Sequence, residues 1–326
     1  MKATVIIPNY NGKHFLKPCL DALSKQTFSS FEIIIVDNAS TDGSLEFLDL
    51  NYPEIKTISL EENYGFSKAV NIGIKNAKTP YVILLNNDTE PAADYIDYMV
   101  KAIEKSPEIF SVSSKMIQMY HPEFIDSAGD LYTVLGWAIC RGTGRPVSNY
   151  TTADTIFSAC AGAAIYRRNV FKKIGYFDEA HFAYLEDVDI GYRAKIYGYK
   201  NTYCPDALVY HVGSGTSGSK YNSFKVKMTG RNNLYLNYKN MPLLQIVFNS
   251  IPLFLGFLIK YLFFIKIGFG KDYLAGVREG LQNLKKQKKV PFRINHLPNY
   301  FSIEAELIKN TVFYAKDWFS RKIFKR

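Results

Sequence analysis

The segment VIIPNYNG, residues 5–12, is where the fold declares itself. Its apolar half, Val5-Ile6-Ile7, has the density of a strand buried on both faces. Pro8 cannot donate to a ladder, and Asn9, Asn11 and Gly12 favour a turn, after which residues 13–25 resume as an amphipathic stretch. The same unit recurs as Glu32–Asp37 then 42–50, Ile55–Leu60 then 65–77, and Tyr81–Asn86 then 92–104. Strand-like runs alternating with amphipathic stretches predict an α/β domain with a mainly parallel sheet. Ligands of such sheets bind beyond the carboxyl ends of the strands. The polar residues there are Asn9-Tyr10-Asn11-Gly12, Asp37-Asn38, Glu62-Asn63 and Asn86-Asn87-Asp88.

Beyond this rhythm, residues 110–180 read as irregular, with short β-like pieces and Gly-rich turns. A helix is expected from near Leu185 to Tyr197, a strand pair carrying Cys204 to His211, and a helix over 222–239. Residues 240–259 are twenty consecutive uncharged residues. A Lys-studded helix follows, ending in Lys285-Lys286-Gln287-Lys288-Lys289, and then a last amphipathic helix with Phe301, Ala305, Ile308, Val312, Ala315 and Phe319 at helical spacing. The expected division is a catalytic domain over 1–240, its halves 1–110 and 111–240, and a helical extension over 241–326.

The chain's 326 residues, 47% of them apolar and 21% charged, exclude disorder, collagen and coiled coil. Four scattered cysteines, Cys19, Cys140, Cys160 and Cys204, indicate neither a zinc site nor a disulfide framework. Met1-Lys2 leads straight into the first strand, so no signal peptide is expected. The net charge of +10 is confined to one end: residues 1–241 carry 25 basic and 25 acidic side chains, residues 242–326 carry 15 and 5. A neutral body with a basic, aromatic-rich tail fits an anionic membrane surface better than nucleic acid.

Several strand ends offer chemistry, each beside a plainer explanation. Tyr10 presents a ring that can stack on a base, in what is otherwise an ordinary strand-to-helix turn. Asp37 is placed to accept hydrogen bonds from a ribose or a base N–H; Ser40 or Thr41 as helix cap explains residues 40–44 and leaves Asp37 unexplained. Asp88 offers oxygen to a hard divalent cation that would bind a diphosphate, or closes an Asx turn before Pro91. Asp189 is accounted for by an i,i+4 ion pair with Arg193. The adjacency of Glu186 and Asp187 is not, since like charges side by side cost stability. His211 is a metal ligand or a structural imidazole, and Arg231-Asn232-Asn233 is a polar helix face or faces a phosphate or acceptor.

In this order, the segments VIIPNYNG (5–12), VDNASTDGS (36–44), ENYGFSKAVNIGI (62–74), LLNNDTE (84–90), GAAIYRR (162–168), FDEAHFAYLEDVDIGYRA (177–194) and VYHVGS (209–214) resemble the family 2 inverting glycosyltransferases of GT-A fold, especially the bacterial rhamnosyltransferase-like branch. The resemblance covers about residues 1–240. It implies nucleotide contacts from Pro8, Tyr10, Asn11, Asp37 and Asn63, close backbone approach at Gly65, and donor and metal binding at Asn87 and Asp88. Asn86 stands where the family's Asp-x-Asp motif has its first acid. His211 resembles a metal-ligating His of some members, Asp187 the catalytic base, and Glu186 its neighbour.

The implied reaction is a single inverting displacement that moves a sugar from a nucleotide-diphosphate donor to a hydroxyl of a lipid-linked or growing saccharide, in cell-surface polysaccharide synthesis. The implied cofactor is Mg²⁺ or Mn²⁺. The branch suggests dTDP-rhamnose as donor, and a UDP-sugar is the other choice. No nucleic-acid partner is expected. The tail is expected to associate with the cytoplasmic face of the cell membrane through helices 243–265 and 300–320, peripherally or monotopically, with a homodimer contact as the other use of its apolar faces. The rival readings are a dehydrogenase-like enzyme, disfavoured because the first turn lacks Gly-x-Gly-x-x-Gly, and a catalytically silent membrane-bound scaffold of polysaccharide assembly.

Overall fold

A computed structural model describes residues 1–213 and 221–323. Ser214 and Gly215, which follow His211, lie outside the described residues, as do residues 324–326 of the basic tail. The first four strand–helix units form as expected: β1 (Ala3–Asn9), α1 (Lys13–Ser24), β2 (Phe31–Asp37), α2 (Ser44–Asn51), β3 (Lys56–Ser59), α3 (Gly65–Asn76), β4 (Tyr81–Leu85) and, after the short β5 (Thr89–Pro91), α4 (Tyr95–Glu104). β4 is buried along its whole length and β1 at six of its seven positions, as strands covered by helices on both faces must be. α2 starts one turn later than a Ser40 or Thr41 cap would put it: Gly43, at φ 80°, is its N-cap, and Asp42 accepts from Ser44 N at 3.1 Å.

The sheet continues through β6 (Ile109–Gln118), β7 (His121–Ser127), β10 (Asp154–Ile156), β11 (Ala163–Arg167) and β12 (Lys200–His211), with β8 (Asp130–Tyr132) and β9 (Ala138–Cys140) forming a separate pair. Strand order is β10-β12-β6-β11-β4-β1-β2-β3, with β5 on β12 and β7 on β6. β3, β2, β1 and β4 run parallel, β11 is antiparallel to its neighbours, and β12 runs parallel to β6. The region read as irregular thus supplies four of the sheet's ten strands, β6, β7, β10 and β11. In place of a strand pair, residues 200–211 form one strand whose register shifts between Tyr203 and Leu208, around Pro205, a residue that cannot donate. α5 (Phe171–Ile174) and α6 (Glu186–Ile196) follow β11.

The chain divides into two compact units. The first, residues 1–130, 140–194 and 199–220, holds the sheet and a core that includes Val5, Ile7, Ile35, Ile83, Leu85 and Ile165. The second, residues 131–139, 195–198 and 221–326, contains α7 (Ser223–Asn240), α8 (Leu243–Phe248), α9 (Ser250–Lys266), α10 (Gly270–Asn283) and α11 (Leu297–Ile323). Inside it Tyr132 Oη donates to Asn233 and Asn237 at 2.7 and 2.6 Å, and Val226, Phe264 and Tyr273 form a small core. The uncharged run is not one helix. It breaks at Asn249, whose Nδ2 reaches Gln245 O at 3.1 Å and Glu304 Oε2 at 2.9 Å. Among the described residues, no helix is long and apolar enough to cross a membrane.

Candidate active site

Strand register builds the first part of the site. β1 and β2 pair so that Asn9 stands beside Asp37, and side-chain bonds then tie three strand tips together. Asn9 Nδ2 donates to Asp37 Oδ1 at 2.7 Å and Asn87 Nδ2 donates to Asn9 Oδ1 at 2.7 Å. Asp37, 0% exposed, accepts from Ser40 N at its other oxygen, 2.9 Å away. Both oxygens are therefore engaged within the protein, and the carboxylate fixes the turn from below. Asn11 N donates to Ser40 Oγ and Asn11 Oδ1 accepts from Thr41 N, which leaves Tyr10, 39% exposed, at the rim beside Pro8. Gly12 has to lack a side chain, because a Cβ there would stand 2.1 Å from Asn87 Nδ2.

The third strand's tip joins through Asn38. It accepts from Tyr64 N at 3.0 Å and donates to Gly65 O at 3.1 Å, while Asn63 Oδ1 accepts from Gly65 N at 2.9 Å. Gly65 holds φ 82°, and a Cβ would lie 2.5 Å from Phe182 O. That approach seats α3 against the loop ahead of α6, where Ser67 N donates to Phe182 O at 3.2 Å. The loop has Phe182, Tyr184 and Leu185 at φ 62°, 72° and 68°, conformations that cost about 1–3 kcal/mol each and are held only where surrounding packing enforces them.

A second group assembles around His211. Pairing of β12 with β5 sets His211 opposite Thr89, and Val212 N donates to Asp88 O at 3.1 Å. His211 Nε2 lies 3.3 Å from Asp88 Oδ1, and Nδ1 lies 2.8 Å from Asp126 Oδ2. Burial works against a charged imidazole here, but the bond to Asp126 and the nearby Asp88 carboxylate outweigh it and push its pKa up to about 10. Asp88 Oδ1 is buried and makes no well-directed hydrogen bond. A buried carboxylate oxygen beside Nε2 offers an oxygen and an imidazole nitrogen that fit a divalent cation, with Asp126 on Nδ1 to orient the ring; the cation would replace the imidazolium proton as the balancing charge.

The third group lies at the start of α6. Asp187 Oδ1 accepts from Val188 N at 2.8 Å, and burial raises its pKa although backbone N–H groups of Val188 and Ala161 oppose the rise. Burial, followed by the Asp187 charge, holds Glu186 well above the usual carboxyl range. Asp130 is raised in the same way, by burial and then by Asp187 and Glu186. The turn at 160–162 links this group to the β4 tip, since Asn86 N donates to Gly162 O at 2.8 Å. Asp189 is fully buried and pairs with Arg193 at 2.6 Å, as its spacing predicts.

The structure thus places the expected residues in three groups: Pro8, Tyr10, Asn11, Asp37, Asn63, Gly65 and Asn87; Asp88 and His211; Glu186 and Asp187. Arg231 and Asn232 belong to α7, where Arg231 pairs with Glu279 of α10 at 3.0 Å. Sequence reasoning missed Asp126 and Asp130. Their one signal is two acids flanking a Ser-Ala-Gly turn at 127–129, and only β7 pairing on β6 and an Asp130–Ser158 bridge aim them at His211 and Asp187.

Residues 4–175, just over half of the chain, match the model of glycosyl transferase family 2. The N-acetylglucosaminyl-diphospho-decaprenol L-rhamnosyltransferase of Mycobacterium tuberculosis is 26% identical over 240 residues, 66% of this chain and 77% of that protein. An uncharacterized glycosyltransferase of Bacillus subtilis is 30% identical over 230 residues, 67% of this chain and 78% of that one. Among solved structures, that of GalNAc-T7 with UDP, GalNAc and Mn²⁺ shares the fold at a TM-score of 0.59 and 19% identity, covering 73% of this chain and 47% of that one. The chain therefore spans about half the length of that neighbour. From the ordered strand-tip motifs, the sheet that gathers them and the family match together, the chain belongs to glycosyl transferase family 2, with a GT-A fold.

Proposed function

We propose that this glycosyltransferase moves a sugar, rhamnose by its branch resemblance, from a nucleotide-diphosphate donor to a hydroxyl of a lipid-linked or growing saccharide, inverting the anomeric centre. The observation that carries the reading is the hydrogen-bonded path from the β4 tip through Gly162 and Ala161 to Asp187. It fixes a base of raised pKa in the same framework as the Asp88 cluster. Tyr10, Asn11 and Asn63 flank the nucleotide, with Asp37 and Asn87 bracing the turns beneath it. Asp88 and His211 Nε2 would hold Mg²⁺ or Mn²⁺, with Asp126 orienting the imidazole through Nδ1; the ion would supply positive charge against the departing diphosphate. Asp187 takes the proton of the acceptor hydroxyl as that oxygen attacks. Burial and the Asp187 charge push the Glu186 carboxyl up, which favours its neutral form beside the base.

The second unit serves the acceptor's location. Val247, Phe248, Ile251 and Phe254 on α8 and α9, and Phe301, Ile308, Val312 and Phe319 on α11, are exposed apolar side chains. They belong to the stretch with 15 basic and 5 acidic residues. Apolar faces among basic residues suit an anionic bilayer on the cytoplasmic side, where the chain would lie peripherally or monotopically; self-association through the same faces is the competing use. The test is hydrolysis of a panel of nucleotide sugars with Mn²⁺, followed by transfer to polyprenyl-diphosphate saccharides. Stereochemical inversion of the transferred sugar is expected. Absence of turnover with every donor, including dTDP-rhamnose and UDP-GlcNAc, would sink the assignment.

A further inference from the structure

Three carboxyl groups and a thiol meet at the start of α6, and no basic side chain balances them among the described residues. Burying uncompensated negative charge costs several kcal/mol per ion, so the excess has to be met by protons or by a cation. Two oxygens here are buried without any hydrogen-bond partner: Asp130 Oδ2 and Glu186 Oε2, on residues that are each 7% exposed. Asp130 cannot swing away, since its backbone is clamped to Ser158, N to O at 2.9 Å, and accepts from Phe157 N at 3.0 Å. Asp130, Cys160 and Asp187 each bring one ligand atom to within 4.8 Å of the others. Ligands sharing a zinc ion stand about 2.0–2.3 Å from it, so a small inward closure brings all three into range.

The donor set differs in kind from that at Asp88. Oxygen and imidazole around Asp88 suit a hard cation, whereas a thiolate selects thiophilic metals over Mg²⁺ or Mn²⁺. We propose that Asp130, Cys160 and Asp187 form a binding site for a thiophilic divalent cation of the zinc class, and that its occupancy inhibits the enzyme by engaging the carboxylate that serves as base. The cation displaces the Cys160 proton to solvent as it binds. The inhibitory part rests on the proposed role of Asp187; the binding part does not.

Co²⁺ titrated into the full-length, metal-stripped protein reports the site directly, because a Co²⁺–thiolate bond absorbs in the near ultraviolet. One equivalent is expected to raise that band, and Zn²⁺ to abolish it by displacement. Cys160→Ser and Cys160→Ala lose the band and weaken Zn²⁺ binding at least about tenfold, with thermal melts confirming that both fold. Cys140→Ser keeps it, that exposed thiol being engaged with Asp126 O at 3.3 Å. No band in the wild type, or a band that survives in Cys160→Ser, overturns the site. With excess Mg²⁺ present, Zn²⁺ is expected to inhibit donor hydrolysis by the wild type and to spare Cys160→Ser. A thiolate band without inhibition of an active enzyme overturns the inhibitory part. A thiolate band in a protein that turns over no donor counts against the proposed function and leaves the binding site standing.

Discussion

Asp187 carries the heaviest chemical demand of any residue in the chain. Its carboxylate accepts from backbone donors yet is raised by burial, which suits the proposed role of taking a hydroxyl proton. Asp187→Asn retains the shape and removes the basicity, so turnover is expected to fall about 10²–10⁴-fold while donor affinity, measured by nucleotide titration, stays near wild type. Transfer at the normal rate would remove Asp187 from the role. Gly65 tests the nucleotide side. An added methyl group there meets Phe182 O at 2.5 Å and has to hold φ 82°, so Gly65→Ala is expected to lower stability by about 1–2 kcal/mol in denaturant melts and to weaken nucleotide binding. Unchanged melting and binding would mean that α3 does not need this seat. The importance of Gly65 cannot be judged from its neighbours in sequence: Phe182 and Gly65 are far apart along the chain.

At the scale of elements, β12 decides where the proposed cation site would form. It is long enough to pair with β6 along its length and with β5 at its end, and only the second pairing delivers His211 to Asp88. The strand was legible at its carboxyl half, but β6 was not, because its alternation Phe110-Ser111-Val112-Ser113 is short and breaks at Ser114-Lys115. Tertiary partners compensate: Ser111 Oγ donates to Asn201 Oδ1 and Ser114 Oγ to Ala163 O, both at 2.8 Å. Chelation is expected to abolish transfer, Mn²⁺ or Mg²⁺ to restore it, and Asp126→Asn to raise the cation concentration needed for half-maximal rate about 10–100-fold. Full activity in chelator would show that the imidazolium alone supplies the positive charge.

For the whole molecule, the question is what the second unit's helices cover. Phe254 is 66% exposed, Ile251 72% and Val247 61%, an arrangement that a monomer in water seldom keeps without use. Since these side chains lie outside the core, the triple change Val247→Glu, Ile251→Glu, Phe254→Glu should leave melting and donor hydrolysis near wild type. Sedimentation with phosphatidylglycerol-rich vesicles should fall at least about tenfold, and wild-type binding should weaken with salt. Vesicle binding unchanged by the substitutions would show that these faces serve another purpose, and loss of a dimer in their place would identify it.

The sequence by itself determined the α/β rhythm, the strand-tip motifs and the pairing of Glu186 with Asp187, because periodicity and turn chemistry are local properties of a few consecutive residues. It also determined the charge asymmetry, which is a sum along the chain. Only the tertiary structure decided that Asp37 is enclosed by Asn9 and Ser40, that Asp126 and Asp130 join the site, and that the uncharged run breaks at Asn249 against Glu304. Each of these depends on partners distant in sequence, and a carboxylate's role is set by which donors, charges and solvent surround it once the chain has folded.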